Sequence, residues 1–98
     1  MNFSQKVWKL CSKIPEGRVT TYREIAKALN TKAYRAVGNA LRNNPDSPFV
    51  PCHRVVKSSG EIGGYKGKMH SKEKIRLLRE EGIQIKGNKI IDFKLHKF

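Results

Sequence analysis

The chain has 98 residues and a strongly basic composition, with 21 lysines and arginines against 8 acidic residues and a formal net charge of +13. This length predicts one domain covering residues 1–98, and the charge favours a polyanionic partner over a lysine-rich surface that is only solvated. No apolar run reaches the roughly 20 residues of a membrane helix, and the N-terminus lacks a signal-peptide pattern. We therefore expect a cytoplasmic protein with no membrane association.

The first segment predicts a helix over residues 3–14. Its apolar residues recur at i, i+4, i+7, i+8 and i+11, which is the spacing of one helical face. Cys11 lies on that face, so we expect it to be a small buried hydrophobe. The only other cysteine is Cys52, and two cysteines without a Cys-x-x-Cys pair predict neither a disulfide framework nor a zinc site. We expect no metal and no cofactor.

Two further helices predict a helix-turn-helix over about residues 21–42. Thr21 followed by Glu24 is a capping-box pattern that opens a helix through about residue 29. After a short turn at 30–32, the next helix is predicted from residue 33 to about residue 42. One face of it is apolar, and the opposite face carries Arg35, Gly38, Asn39 and Arg42.

Gly38 on the exposed face of that helix is informative, because a glycine inside a helix costs about 1 kcal/mol relative to alanine. Its presence beside Arg35 and Asn39 indicates close approach to another surface. The alternative is that a neighbouring helix of the same chain packs against it.

The second half begins with a loop over residues 43–48, followed by a segment predicted to be extended over residues 49–56. Prolines at 48 and 51 favour an extended backbone, so we expect Cys52 on a rigid extended segment rather than in a helix. A turn at 57–60 and a glycine-rich loop at 61–68 follow.

The C-terminal part predicts one more helix and a β-hairpin. The helix extends from an N-cap at Ser71 to about Glu81, with Gly82 as its C′ residue. The hairpin pairs residues 83–85 with residues 89–93. The predicted fold is mainly α with small β elements, a winged helix-turn-helix-like domain with a C-terminal β-hairpin.

The segment Pro51-Cys52-His53-Arg54-Val55-Val56 places a cysteine next to a histidine and an arginine. A cysteine reacts as the thiolate, which an adjacent cation favours, and a histidine can accept its proton. The segment therefore predicts a presented nucleophile.

This segment resembles the active-site motif of the O6-alkylguanine-DNA alkyltransferases, which remove alkyl groups from damaged guanine. The resemblance extends from about Phe3 to Asp92 and includes the runs 19–22, 35–40, 42–45, 58–60 and 80–82 in the family's order and spacing. It implies DNA repair by irreversible, single-turnover transfer of an alkyl group from O6 of guanine to Cys52, with O4 of thymine as a candidate second target. The protein would act as a monomer.

The resemblance also implies roles for the reacting residues. Cys52 would be the alkyl acceptor, His53 would accept its proton through a water, and Glu81 would orient His53. Tyr22 would crowd the target phosphate and protonate the leaving guanine. Asn44 would be a hinge between the recognition helix and the active-site segment. The substrate-pocket residues would be Val55, Ser58, Tyr65 and Lys66, whereas Arg54 would be structural.

The implied partner is double-stranded DNA, bound in the minor groove largely without regard to sequence after the target nucleotide is flipped out. Arg35 would enter the base stack, and Ala36, Gly38, Asn39 and Arg42 would line the DNA-facing surface. The small residues Ala36 and Gly38 suit the narrow minor groove, although a helix-turn-helix more often enters the major groove.

Several alternatives remain open at the level of sequence. Tyr22 could be a core tyrosine, Arg35 a simple phosphate contact, His53 a structural histidine, and Tyr65 an apolar plug. Glu80 stands beside Glu81, and Gly82 after Glu81 favours the latter. The N-terminal domain of most family members is not expected here. Non-catalytic alkyltransferase-like proteins are similarly short, but they usually carry tryptophan where this chain has Cys52.

Overall fold

The computed structural model describes residues 1–46, 49–64 and 72–98. Five α-helices, one 3₁₀ turn and two small sheets make up these residues, which confirms the predicted mainly α fold. In chain order the elements are α1 (Phe3–Cys11), β1 (Thr20–Thr21), α2 (Tyr22–Ala28), α3 (Tyr34–Arg42), a 3₁₀ helix (Cys52–Arg54), β2 (Val55–Val56), α4 (Lys72–Glu80), β3 (Ile85–Lys86), β4 (Lys89–Ile90) and α5 (Phe93–His96). No helix in the described ranges has the length and apolar composition to cross a membrane.

Helix α1 is fixed at its start by a cap that the apolar pattern did not reveal. The Asn2 side chain accepts from the Gln5 backbone N–H at 2.8 Å, and the Asn2 N–H donates back to the Gln5 side chain at 2.9 Å. The helix ends at Cys11, three residues earlier than predicted, because residues 12–14 form a tighter turn. Cys11 is fully buried, as expected.

The helix-turn-helix is confirmed in α2 and α3. Thr21 is the N-cap of α2, and its hydroxyl accepts from the Glu24 backbone N–H at 3.0 Å. In α3 the apolar face is buried through Val37, Ala40 and Leu41. Trp8 of α1 ties α1 to α3 by donating to the Ala40 carbonyl at 2.7 Å.

A two-stranded parallel sheet joins the start of this motif to the cysteine segment. Thr20 pairs with Val55 and Thr21 with Val56, so the N-cap of α2 lies directly beside the strand that follows Cys52. This pairing brings Tyr22, the first residue of α2, towards the predicted nucleophile.

The extended conformation predicted for Cys52 is wrong. Cys52 N–H donates to the Val50 carbonyl at 2.8 Å and Arg54 N–H to the Pro51 carbonyl at 2.9 Å, and these local bonds close a 3₁₀ turn over residues 52–54. Proline restricts the residue before it, not the residues after it. The extended backbone begins only at Val55.

The end of α4 confirms Gly82 as the C′ residue. Gly82 has φ +88°, its N–H donates to the Arg79 carbonyl at 3.0 Å, and the Ile83 N–H donates to the Leu78 carbonyl at 3.1 Å. This pair of bonds is a Schellman motif, in which Leu78 and Ile83 also share an apolar cluster. The predicted start at Ser71 lies outside the described residues.

The C-terminal hairpin is confirmed, because β3 and β4 pair antiparallel with Ile85 opposite Ile90. The strand predicted through Phe93 is wrong: Asp92 adopts a left-handed conformation with φ +54° and starts the short helix α5. The core consists of two apolar clusters, one around α1, α2, α3 and the 3₁₀ turn, and one around α4 and the hairpin.

Candidate active site and nucleic-acid interface

Cys52 lies at the first position of the 3₁₀ turn and is 5% exposed. It belongs to the apolar cluster that includes Cys11 and Val55. His53 and Arg54 complete the same turn, so a thiol, an imidazole and a guanidinium side chain extend from three consecutive residues.

His53 pairs with Glu81. His53 Nε2 lies 2.7 Å from Glu81 Oε2, and the histidine is 2% exposed. Glu80, the alternative at the level of sequence, instead forms an exposed pair with Arg76 at 2.9 Å. The bend after α4 turns Glu81 inward, which places it at the histidine.

Hydrogen bonds set the protonation of Glu81, and burial sets that of His53. Burial alone would raise the pKa of Glu81, but hydrogen bonds from Arg54, His53 and the Gly17 backbone together lower it. Burial lowers the pKa of His53 more than the Glu81 hydrogen bond raises it. At neutral pH the carboxyl is therefore ionised and the imidazole neutral. Because a carboxylate only accepts, Nε2 carries the proton and Nδ1 is the basic nitrogen.

Arg54 holds the carboxylate in place, in agreement with the structural role expected for it. Its Nε donates to Glu81 Oε1 at 2.9 Å and its Nη2 to Glu81 Oε2 at 2.8 Å, a two-pronged contact. Its Nη1 donates to the Ile14 carbonyl at 2.8 Å, and the Gly17 N–H donates to Glu81 Oε1 at 3.2 Å. The residues after α1 thus fix the orientation of Glu81.

Lys74 is a residue of this site that sequence reasoning missed. It is fully buried in α4, and its Nζ donates to the Val55 carbonyl at 2.7 Å and to the Gly64 carbonyl at 3.1 Å. Burial lowers the pKa of Lys74 to about 7, although the Cys52 and Cys11 thiols raise it. The available signal was helix phase, because Lys74 stands four residues before the buried Leu78.

Tyr22 faces the same region. Its ring centroid lies 5.8 Å from Lys74 Nζ, and its hydroxyl would lie 3.3 Å from a Cβ on Gly63, which has φ +75°. Burial, and then the Cys52 thiol, raise the pKa of Tyr22 to about 12. The phenol is therefore protonated at neutral pH and can donate.

Asn44 connects the end of α3 to the cysteine segment. Its Nδ2 donates to the Val50 carbonyl at 2.7 Å, and that same carbonyl accepts from the Cys52 N–H at 2.8 Å. One backbone oxygen thus accepts hydrogen bonds from both Asn44 and Cys52, the residues predicted to be the hinge and the nucleophile.

On α3, the predicted DNA-facing residues are accessible. Arg35, Asn39 and Arg42 are exposed, and Ala36 and Gly38 are half-buried. A Cβ on Gly38 would meet nothing within 4 Å, so packing of a neighbouring helix against Gly38 is wrong as an explanation of this glycine.

The remaining pocket residues have different placements. Val55 is buried, and its carbonyl accepts a hydrogen bond from Lys74 Nζ. Ser58 is exposed and lines a cleft of about 670 Å³, which we term the basic cleft. Tyr65 and Lys66 lie outside the described residues. The residues that line the basic cleft are Thr21, Arg23, Glu24, Lys27, Asn30, Thr31, Lys32, Tyr34, Ser58 and Lys97.

The fold and site define a helix-turn-helix domain with a buried cysteine beside an oriented histidine–carboxylate pair. The chain belongs to the family described as 6-O-methylguanine DNA methyltransferase, DNA binding domain, whose model matches residues 2–83. The sequence-level resemblance to alkyltransferases is thereby confirmed.

Individual relatives agree with this assignment. A methylated-DNA–protein-cysteine methyltransferase from Methanosarcina mazei is 45% identical over 83 residues, which are 84% of this chain and 52% of that protein. The chain spans about half or less of the length of the curated relatives it matches.

Two of the solved structures that are similar in fold contain DNA. Mycobacterium tuberculosis OGT in complex with DNA has a TM-score of 0.75 and 43% identity, covering 83% of this chain and 50% of that one. S. pombe Atl1 in complex with damaged DNA containing O6-carboxymethylguanine has a TM-score of 0.85 and 30% identity, covering 98% of this chain and 94% of that one.

Proposed function

We propose that this chain transfers an alkyl group from O6 of guanine in DNA to Cys52, irreversibly and once per molecule. The observation that carries the proposal is the His53–Glu81 pair beside Cys52, in which the imidazole is held neutral and oriented. The family and the relatives named methyltransferases support the same reaction class.

In the proposed reaction, His53 Nδ1 accepts the Cys52 thiol proton through a water. The thiolate sulfur attacks the alkyl carbon, the C–S bond forms as the C–O6 bond breaks, and the bonding electrons leave with guanine. Glu81 stabilises the imidazolium that results. Glu81 keeps its negative charge, because three donor groups hold it in the ionised form.

The leaving guanine takes a proton from Tyr22, and the phenolate that remains regains a proton from solvent while His53 releases the proton taken from the thiol. The raised pKa of Tyr22 keeps the phenol protonated until the base develops negative charge. Lys74 is a positioning residue in this scheme, since its Nζ fixes the carbonyl of Val55, a residue of the predicted substrate pocket. The thioether product has no easy route back, so the protein is consumed.

DNA binding is proposed through α3, with Arg35 entering the base stack as the target nucleotide is extruded. Extrusion costs a few kcal/mol, and less at a weakened pair. The formal charge of +13 supports a large, salt-dependent phosphate contribution. We propose minor-groove binding with little base readout by a monomer.

The deciding experiment is intact-protein mass spectrometry after incubation with duplex DNA containing O6-methylguanine. We expect a mass increase of one CH₂ group, localised to Cys52 by peptide mapping, and no increase with the matched undamaged duplex. A mass unchanged by the damaged duplex would contradict the proposed transfer.

The second candidate is a non-catalytic sensor that binds O6-alkylguanine and recruits other repair factors. The structural similarity to S. pombe Atl1, which covers nearly the full length of both chains, favours this function. Tight binding to the damaged duplex without a mass change would identify this function, whereas Cys52 with its oriented base favours transfer.

A further inference from the structure

The last residues of the chain are fixed against the start of the helix-turn-helix. The Val19 N–H donates to the His96 carbonyl at 2.9 Å, and the Phe98 N–H donates to the Val19 carbonyl at 2.7 Å. Arg18 Nη1 adds a bond to the Leu95 carbonyl at 2.6 Å. Lys97 is therefore held in parallel pairing beside Val19, just before β1.

In this position Lys97 lines the basic cleft, together with residues of α2, of the turn at 30–32 between α2 and α3, and of the start of α3. Among the described residues that line the cleft, four are basic and one is acidic. The basic residues are Arg23, Lys27, Lys32 and Lys97. A concave surface with this imbalance attracts anions, and the hydroxyls of Thr31 and Ser58 add donors for phosphate oxygens.

Glu24 is the acidic residue of the cleft, and Lys97 pairs with it. Lys97 Nζ lies 3.4 Å from Glu24 Oε1, and both side chains are about two-fifths exposed. An exposed pair with this long separation contributes little to stability, so the ammonium group can leave the carboxylate for a stronger anion at small cost.

We propose that Lys97 contacts a DNA phosphate in the basic cleft, so that the C-terminal tail extends the DNA-binding surface of the helix-turn-helix. The inference rests on the DNA binding proposed above. Lys97 lies beyond residue 83, where the match to the family model ends.

The test measures affinity for an undamaged duplex by fluorescence anisotropy at several salt concentrations, so that alkyl transfer does not contribute. Each phosphate contact adds about 0.9 to the slope of log K against log[salt]. We expect Lys97→Ala to reduce the magnitude of that slope by about 0.9, and Lys97→Arg to preserve it. Lys86→Ala is the matched control, because Lys86 is exposed on the hairpin and outside the basic cleft.

Glu24→Gln separates a phosphate contact from mere neutralisation of the carboxylate. If Lys97 contacts phosphate, Lys97→Ala reduces the slope equally with and without Glu24→Gln. A slope unaffected by Lys97→Ala, an effect that disappears with Glu24→Gln, or an equal effect of Lys86→Ala would overturn the inference. Absence of DNA binding by the unmodified chain would instead contradict the proposed function itself.

Discussion

Around Glu81 every oxygen of the carboxylate is matched by donors from Arg54, His53 and Gly17, whereas the charged side chains of α3 stand in solvent. Loss of one donor at Glu81 should have a large effect, because an unmatched buried charge is costly. The exposed charges of α3 should instead contribute additively to an electrostatic attraction that salt screens. The chemistry and the DNA contact are thus open to separate tests.

The largest separation is expected from Cys52→Ala. Transfer should be abolished, because the sulfur that forms the new bond is removed, while affinity for O6-methylguanine duplex should persist through α3. Mass spectrometry and anisotropy on the same sample measure both properties. Cys11→Ala is the control and should retain transfer, because Cys11 is a buried core thiol. Transfer by the Cys52→Ala protein would contradict the assignment of the nucleophile.

The next largest effect is expected from Glu81→Gln compared with Glu80→Gln. Loss of the carboxylate removes the group that orients His53, and the transfer rate should fall by roughly 10²-fold or more. The free energy of unfolding should fall by about 2 kcal/mol, because charged hydrogen bonds to Arg54 are weakened.

Glu80 is the matched neighbour on the exposed side. Its pair with Arg76 is solvent-accessible, so Glu80→Gln should change stability by less than about 0.5 kcal/mol and leave the rate unchanged. Equal effects of the two substitutions, in single-turnover kinetics and in urea denaturation, would refute the distinction between the two glutamates.

Lys74→Met tests whether burial of charge has an energetic cost. The pKa of Lys74 is about 7 in the folded chain, below its ordinary value of 10.5, so the unfolded state binds more protons above pH 7. Stability of the unmodified protein relative to Lys74→Met should therefore rise with pH by up to about 1.4 kcal/mol per unit.

The useful window for this measurement is pH 7 to 9. Above it, the raised pKa values of Cys11 and Tyr22, each about 12, destabilise the fold as the unfolded thiol and phenol ionise. Lys72→Met, which removes an exposed lysine from the same helix, is the matched control. A flat difference between the unmodified protein and Lys74→Met would show that Lys74 titrates normally.

The smallest effect is expected from Gly38→Ala, on the DNA-facing side. A Cβ there meets nothing within 4 Å, so the free energy of unfolding, measured by thermal denaturation, should rise by about 0.5–1 kcal/mol because alanine has the better helix propensity. Affinity for duplex DNA should fall, because the proposed approach of the groove leaves no room for the methyl group. Unchanged affinity would remove the reason for a glycine at this position.

The sequence predicted the elements that local patterns control. Thr21 marks the start of α2, Gly82 the end of α4, and alternation the hairpin, since caps and period-2 patterns act over a few residues. The predictions of an extended segment at Cys52 and of a strand through Phe93 were wrong, because hydrogen bonds to the Pro51 and Val50 carbonyls, and the left-handed conformation of Asp92, determine those backbones.

Within the candidate site, the motif indicated Cys52, His53 and Glu81, but Lys74 was missed. A lysine is ordinarily exposed, and the carbonyls of Val55 and Gly64, 19 and 10 residues away in sequence, help to make its burial tolerable. The basic cleft was missed for a related reason, because Lys97 reaches it through pairing with Val19 across most of the chain.

The left-handed turn at Gly82 has a consequence for how this chain can be redesigned. Glu81 lies between the last residue of α4 and Gly82. The direction of its side chain is therefore determined by where the helix ends rather than by the residues along the helix. Randomised libraries can therefore vary the solvent side of α4 widely, at Arg76 and Glu80 for example, without turning the carboxylate away from His53. Position 82 itself has to remain glycine, because a side chain at φ +88° would move the end of the helix and the carboxylate with it.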